Sequence, residues 1–138
     1  MTDAESWSFL EWPVRPAVLS TVRADGRPHA APIWYAVDDG TIVFTTGAST
    51  VKGKNVSRDP RVTLCVQDDR SPYSFVVVEG RADISDDGDD LRRWAARIGG
   101  RYMGADRAEE YGARNGVPGE LLVRVSPTHV TAARDVAE

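Results

Sequence analysis

Two Asp-Gly turns in the first third of the chain are the feature that most constrains its fold. Asp25-Gly26 and Asp39-Gly40 each lie between apolar runs rich in β-branched residues. An Asp-Gly pair in this setting is the strongest short-range signal of a β-hairpin. The sequence therefore predicts three successive antiparallel strands, the second of them long. The predicted strands are residues 17–23, 28–37 and 41–46.

Further strands and several helices are predicted in the rest of the chain. Gly80 lies inside a long apolar run and indicates a bulge or a sharp bend. Pro127 interrupts the last apolar stretch, which is predicted as one strand or a pair. These strands are predicted at 62–67, 73–84, 121–125 and 129–133. Helices are predicted within 1–16, at 50–59, from 86 onward and at 106–114. One helix has an apolar stripe at helical spacing, formed by Leu91, Trp94, Ala95, Ile98 and Tyr102.

The order of these elements favours a small β-barrel. Antiparallel strands joined by tight turns, with helices inserted late, do not fit a βαβ sheet. We predict a mainly β (α+β) fold in which residues 1–138 form a single domain. Residues 1–16 are expected to form an N-terminal helix and an extended segment, and residues 86–115 a helical insertion.

Composition narrows the possible partners and location. The net charge of −4 and the dispersed arginines argue against nucleic acid. No apolar run reaches the length of a membrane span, so we expect no membrane partner. The acidic N-terminus lacks the pattern of a signal peptide. Cys65 is the single cysteine, which excludes an internal disulfide and favours a cytoplasmic location.

The chain lacks the residue patterns of the common catalytic and metal centres. His29, His129 and Cys65 do not have zinc-ligand spacing, so we expect no metal site. No Gly-x-Ser-x-Gly motif occurs, and the paired aspartates fall in turns or at a helix start. If the protein is an enzyme, a bound cofactor is therefore expected to supply the chemistry.

The only two lysines, Lys52 and Lys54, lie near the start of the helix predicted at 50–59. Ser49 or Thr50 is a suitable N-cap for it. A lysine in the first turn faces the positive end of the helix dipole, which disfavours it by roughly 0.3–1 kcal/mol. A phosphate or another anion bound there would compensate this charge. The alternative is an ordinary basic surface helix.

Three segments, in order and at the expected spacing, resemble the flavin-binding split-barrel superfamily of pyridoxamine-phosphate oxidase. The run STVRADGRPHAAPIWY, residues 20–35, is similar to its opening hairpin. The run FTTGASTVKGKNVSRDPRV, residues 44–62, is similar to its cofactor-phosphate segment. The run YSFVVVEGRA, residues 73–82, is similar to its long strand ending in Glu-Gly. The resemblance implies a six- to seven-stranded antiparallel split β-barrel with a few short peripheral helices, assembled as a homodimer.

Within this superfamily, the chain is more similar to the branch that binds the deazaflavin coenzyme F420. The oxidases that bind flavin mononucleotide (FMN) carry an Arg-x-Val-Leu-Leu-Lys strand, whereas residues 32–37, PIWYAV, have no basic residue. The arginine-rich, tryptophan-bearing tail of those oxidases is also missing. The resemblance thus implies an F420-dependent reductase that transfers a hydride to an unsaturated small molecule. An FMN-binding oxidoreductase and a non-catalytic cofactor carrier remain alternatives.

The resemblance also implies a set of cofactor-binding residues. Hydroxyls, amines and an amide would bind the phosphate or the ribityl chain, through Thr45, Thr46, Thr50, Lys52, Lys54 and Asn55. Backbone groups of one strand would flank the ring, at His29, Ala30, Ala31, Pro32 and Ile33. Trp34 and Tyr73 would stack on the ring or the substrate, or else belong to the core or the dimer interface. No catalytic side chain is assigned, and the proton is expected from water or a group not yet identified.

Overall fold

The computed structural model describes residues 1–138 and contains four α-helices and seven β-strands. The helices are α1 (Asp3–Glu11), α2 (Val51–Arg58), α3 (Gly88–Met103) and α4 (Ala108–Asn115), with a 3-10 turn at Ala105–Arg107. The strands are β1 (Ala17–Val22), β2 (Pro28–Ile33), β3 (Ala36–Asp38), β4 (Thr41–Gly47), β5 (Arg61–Asp68), β6 (Ser74–Ser85) and β7 (Glu120–Ala133).

All seven strands belong to one antiparallel sheet in the order β2-β1-β5-β6-β7-β4-β3. Strands β2 and β3 are consecutive in the chain but lie at opposite edges, and only Trp34 and Tyr35 join them. Such a short connection spans roughly 10 Å, so the two edges must approach each other and the sheet must curl. The predicted mainly β, antiparallel split-barrel fold is confirmed.

The prediction of one long second strand over residues 28–37 is wrong. The strand ends at Ile33 and a new one begins at Ala36, because β2 pairs with β1 whereas β3 pairs with β4. Tyr35 is fully buried at this corner, and its hydroxyl donates to the Leu10 carbonyl at 2.6 Å. The corner thus anchors the C-terminal end of α1 to the barrel.

The two longest strands, β6 and β7, pair with each other and contain the predicted bulge between Glu79 and Gly80. A Cβ atom on Gly80 would lie 2.5 Å from the Ser126 carbonyl oxygen, so the strands can approach this closely only at a glycine. Pro127 pairs with Gly80 and does not divide β7, which is one continuous strand.

Apolar side chains form two clusters, one on each side of the sheet at β4 and β7. The larger contains 16 buried residues and fills the barrel. In the smaller, Leu91, Trp94 and Ile98 of α3 pack against Val43 of β4 and Leu122 of β7. At 16 residues, α3 is longer than the short peripheral helices expected. It covers the outside of the barrel and forms one wall of the site described next.

Candidate functional site

A cavity of about 340 Å³ lies between the β2–β3 corner, the start of α2 and the helices α3 and α4. Apolar and small residues form most of its walls, and the side chains of Thr45, Lys52 and Asn115 supply polar groups. Its volume is at the lower end of ligand pockets, which range from about 300 to 1,000 Å³. The lining residues are Pro16, Pro32, Ile33, Trp34, Thr45, Lys52, Ala95, Ile98, Gly99 and Asn115.

The structure does not bring Lys52 and Lys54 together. Lys52 is half-buried and lines the cavity, and its amine forms no ion pair within the protein. Lys54 is exposed in a separate groove of about 300 Å³ together with Arg23, Arg27 and Arg58. Residues two apart on a helix point in directions about 200° apart, which explains this division. Of the two lysines, Lys52 is the one available to an anion in the cavity.

The three predicted hydroxyls also have different surroundings. Thr50 is the N-cap of α2: its hydroxyl accepts from the Gly53 amide at 3.1 Å and donates to the Gly47 carbonyl at 2.7 Å. Thr46 is buried and its hydroxyl lies 3.2 Å from that of Thr50. Both therefore stabilise the turn between β4 and α2. Thr45 instead faces the cavity, where its hydroxyl is available to a ligand.

Asn55 holds α2 against the barrel. Its side chain is 4% exposed, and its amide donates to the Thr21 hydroxyl of β1 at 3.0 Å. Its carbonyl oxygen accepts from Arg58, which also donates to the Val22 carbonyl. The geometry thus gives Asn55 a structural role, and the cofactor contact predicted for it stays a prediction.

The predicted ring-flanking strand contributes to the cavity at one end. Pro32 and Ile33, at the end of β2, line the cavity with Trp34. His29, Ala30 and Ala31 lie nearer the hairpin, in register with residues 19–21 of β1, and do not line it. The Nδ1 atom of His29 is buried without a hydrogen-bond partner.

Trp34 belongs to an aromatic cluster that joins the corner to the helices. Its ring stacks on Tyr102 of α3, with centroids 5.0 Å apart and planes 4° apart, and meets the Tyr111 ring edge-on at 5.7 Å. The Tyr102 hydroxyl donates to the Arg15 carbonyl at 2.7 Å and accepts from the Tyr35 amide at 3.3 Å. Burial raises the pKa of Tyr102, which keeps it a hydrogen-bond donor. One face of the indole is therefore already covered, and Trp34 remains 37% exposed.

Tyr73 lies away from this cavity. It precedes β6 and is 49% exposed, whereas the opposite end of β6, at Ser85, pairs with Leu122 beside Thr45. Within one chain, Tyr73 and Trp34 therefore do not face the same ligand.

Five lining residues were not predicted as site residues: Pro16, Ala95, Ile98, Gly99 and Asn115. Ala95 and Ile98 belong to the apolar stripe of α3. Such a stripe does not distinguish residues that line a ligand site from residues that pack in the core. Gly99 did carry a sequence signal, because a glycine inside a predicted helix is unfavourable and indicates a packing reason. In the structure, a Cβ at Gly99 would lie 2.2 Å from the Tyr111 Cβ, so only glycine allows α3 and α4 to pack this closely. Asn115 ends α4 and reaches the cavity only because the helices fold back.

The lining residues fit a planar ring system that carries an anionic group. The apolar wall of Pro32, Ile33, Trp34 and Ile98 suits the faces of a flavin-like ring. Thr45 and the Lys52 amine, which forms no ion pair, suit a phosphate or ribityl oxygen. At about 340 Å³, the cavity is too small for a whole nucleotide coenzyme, whose remainder would lie outside it.

Comparisons with known proteins agree with this fold. Residues 8–133 match the family described as pyridoxamine 5'-phosphate oxidase. A conserved hypothetical protein of Mycobacterium tuberculosis is 29% identical, with a TM-score of 0.86 over 98% of this chain and 86% of that one. A structure described as an F420 reductase is 29% identical, with a TM-score of 0.71 over 90% of this chain and 94% of that one.

More distant structures share the fold alone. The heme storage protein HutZ of Vibrio cholerae is 15% identical, with a TM-score of 0.73 over 94% of this chain and 92% of that one. No helix of the structure combines the length and the apolar character that crossing a bilayer requires. The family match spans most of the chain and confirms the resemblance seen in its three motifs. The chain therefore belongs to the pyridoxamine 5'-phosphate oxidase family, which has a flavin-binding fold and includes oxidoreductases.

Proposed function

We propose that this protein is an F420-dependent reductase that transfers a hydride from the deazaflavin coenzyme to an unsaturated small molecule. The observation that carries the proposal is the cavity itself, which Lys52 and Thr45 line together with the apolar residues Pro32, Ile33 and Trp34. The likeness to an F420 reductase over nearly the full length of both chains supports the choice of coenzyme.

The residues of the chain would bind and orient the cofactor. The Lys52 amine would hold its phosphate by a charge-assisted hydrogen bond, and the Thr45 hydroxyl would bind an adjacent oxygen. The apolar wall would fix the ring and exclude water from one of its faces. When bound, the reduced coenzyme supplies the hydride. Holding the coenzyme and the substrate together in a groove that largely excludes water would contribute most of the rate acceleration. The proton that completes the reduction would come from water.

FMN is the second candidate cofactor, because membership of the pyridoxamine 5'-phosphate oxidase family favours it. An FMN-binding oxidoreductase would use the same apolar wall and the same lysine. A non-catalytic carrier would bind a coenzyme in this cavity without turnover. We further propose a homodimer in the cytoplasm, on the basis of the exposed Trp34 at the cavity and the single free cysteine.

Titration of the purified protein with coenzyme F420 and with FMN, followed by fluorescence, tests the proposal. We expect micromolar or tighter binding of F420, and turnover of the reduced coenzyme with at least one of a panel of quinones, enones and bilin-like pigments. Binding of FMN alone would select the flavin alternative, and F420 binding without turnover across the panel would select the carrier. Binding of neither cofactor would contradict all three.

A further inference from the structure

The arginine-lined groove on the side of α2 away from the cavity gathers four basic side chains. Arg23 and Arg27 come from the two sides of the first hairpin turn, and Lys54 and Arg58 come from α2. Asp25 is the single carboxylate that lines the groove, which therefore has a net charge of +3 in a protein whose own net charge is −4. The groove shares no lining residue with the cavity.

Elementary electrostatics disfavours this grouping in the absence of an anion. Lys54 and Arg58 lie four residues apart on a helix, where like charges repel each other. The Arg23 amide donates to the Arg27 carbonyl at 2.9 Å, so these two cations also start from neighbouring points of the hairpin, where like charges are unfavourable. Arg27 is compensated by Asp25 at 2.7 Å. The other three cations form no ion pair within the protein.

Two of the guanidinium groups have donors that the protein leaves unused. The Nε atom of Arg23 is buried and has no hydrogen-bond partner. Arg58 donates through one terminal nitrogen to the Val22 carbonyl and to the side-chain oxygen of Asn55, which fixes its position. Its other two nitrogens form no hydrogen bond within the protein. A buried donor without a partner costs free energy, and a bound ion is one way in which such a donor is satisfied.

The donors and the charge together define the ligand. A guanidinium group presents its N–H donors in a planar fork that matches the oxygens of phosphate and carboxylate groups. A single negative charge would leave most of the groove uncompensated, so several charges on one ligand fit it better. We propose that the arginine-lined groove is a binding site for a small oxyanion that carries two or more negative charges, such as a diphosphate or a tricarboxylate. The site is separate from the cavity, and the inference does not depend on the proposed cofactor.

The test compares wild type with Lys54→Gln, because the Lys54 side chain is exposed and forms neither an ion pair nor a hydrogen bond within the protein. Lys52→Gln is the matched control, since it removes the same charge from the other side of the same helix. Calorimetric titrations at constant ionic strength use inorganic diphosphate, citrate and acetate as probes. We expect diphosphate, citrate or both to bind wild type at least tenfold more tightly than acetate does. Lys54→Gln should weaken that binding by about tenfold, and Lys52→Gln by less than about twofold.

A second measurement reports on the groove itself. In proton–nitrogen NMR spectra, the Nε–H signal of Arg23 should shift when diphosphate or citrate is added to wild type. Arg23→Lys, which lacks this signal, assigns it. An arginine with a purely structural role would give no such shift. Thermal melting shows whether each variant is folded, and the NMR shift in wild type tests the proposal even where a variant is not.

The outcomes separate this inference from the proposed function. A preference for diphosphate would assign the groove to phosphates, and a preference for citrate would assign it to polycarboxylates. Equal affinity for all three probes, or an unchanged Arg23 signal, would overturn the proposal. Loss of binding in Lys52→Gln but not in Lys54→Gln would also overturn it, because the anion would then lie in the cavity. Failure of the protein to bind F420 or FMN would contradict the proposed function and leave the groove unaffected.

Discussion

Within the β4–α2 segment, residues of the same type have different surroundings. Lys52 is half-buried and lines the cavity, whereas Lys54 is exposed among three arginines on the other side of the helix. Thr45 is available to a ligand, whereas Thr46 is enclosed. The position of each side chain on the helix or strand, and not its type alone, decides whether it can bind a cofactor.

At this scale we predict that Lys52→Ala weakens F420 binding by about 10- to 100-fold. Hydrogen bonds to charged groups contribute about 1.5–3 kcal/mol, and each 1.4 kcal/mol is a factor of ten in affinity. Lys54→Ala is the matched control, since it removes the same charge from the same helix, and it should change the affinity less than about threefold. Fluorescence titration of both variants is the measurement. A larger loss in Lys54→Ala would place the anion in the arginine-lined groove instead.

The helix α2 owes its position to close packing against β4 and β1. A Cβ atom on Gly53 would lie 2.0 Å from the Gly47 carbonyl oxygen and 3.1 Å from the Thr50 hydroxyl. The Asn55 amide then ties the middle of the helix to Thr21. Because Lys52 immediately precedes Gly53, the close contact at Gly53 helps to set the direction in which the lysine side chain leaves the helix.

We therefore predict that Gly53→Ala lowers the free energy of unfolding, although alanine has the higher helix propensity by about 1 kcal/mol. The added methyl group would meet backbone, which moves only with the whole turn, and overpacking of this kind costs about 1–3 kcal/mol. Gly88→Ala, in the first turn of α3, is the control because no atom lies within 4 Å of the new Cβ. Chemical denaturation of the two variants measures the difference. Equal stability of the two variants would show that α2 can shift at little cost.

At the scale of the whole molecule, the barrel leaves its two edge strands, β2 and β3, and part of its apolar surface unpaired. Trp12 is 74% exposed, Val18 on β1 is 48% exposed and Trp34 beside the cavity is 37% exposed. A ring bound against Trp34 in one copy of the chain would keep contact with water on its outer side. A second copy packed symmetrically over this region would cover it.

We predict that the protein is a homodimer in solution. Light scattering during size exclusion should give twice the chain mass of 15.1 kDa across micromolar concentrations. Charge substitution at the exposed tryptophan, Trp12→Glu, would report whether that side chain is in the interface, with Glu11→Gln as the control on the preceding residue. A strictly monomeric mass for wild type would contradict the prediction and the idea that a second copy covers a ring bound against Trp34.

Features that depend on neighbouring residues could be predicted from the sequence. The hairpin at Asp25-Gly26, the Thr50 cap of α2 and the bulge at Gly80 all follow from local backbone geometry, and all three are present. The break in the predicted second strand could not be predicted from local patterns. It occurs at Trp34-Tyr35 because β2 and β3 pair with different strands, and these partners are far away in the sequence.

The candidate site shows the same division between local and distant causes. Pro32, Ile33, Trp34, Thr45 and Lys52 were predicted from motifs and do line one cavity. Ile98, Gly99 and Asn115 come from helices more than forty residues farther along the chain than Lys52, and reach the cavity only through the packing of α3 and α4.

The antiparallel strands, the caps and turns between them, and the family can all be read from the sequence, because they depend on short-range preferences and motif order. The three-dimensional packing was needed to show which lysine faces the cavity and which hydroxyls are already bonded internally. Those outcomes depend on how a helix is rotated against a barrel, and that rotation is set by contacts between residues far apart in the chain.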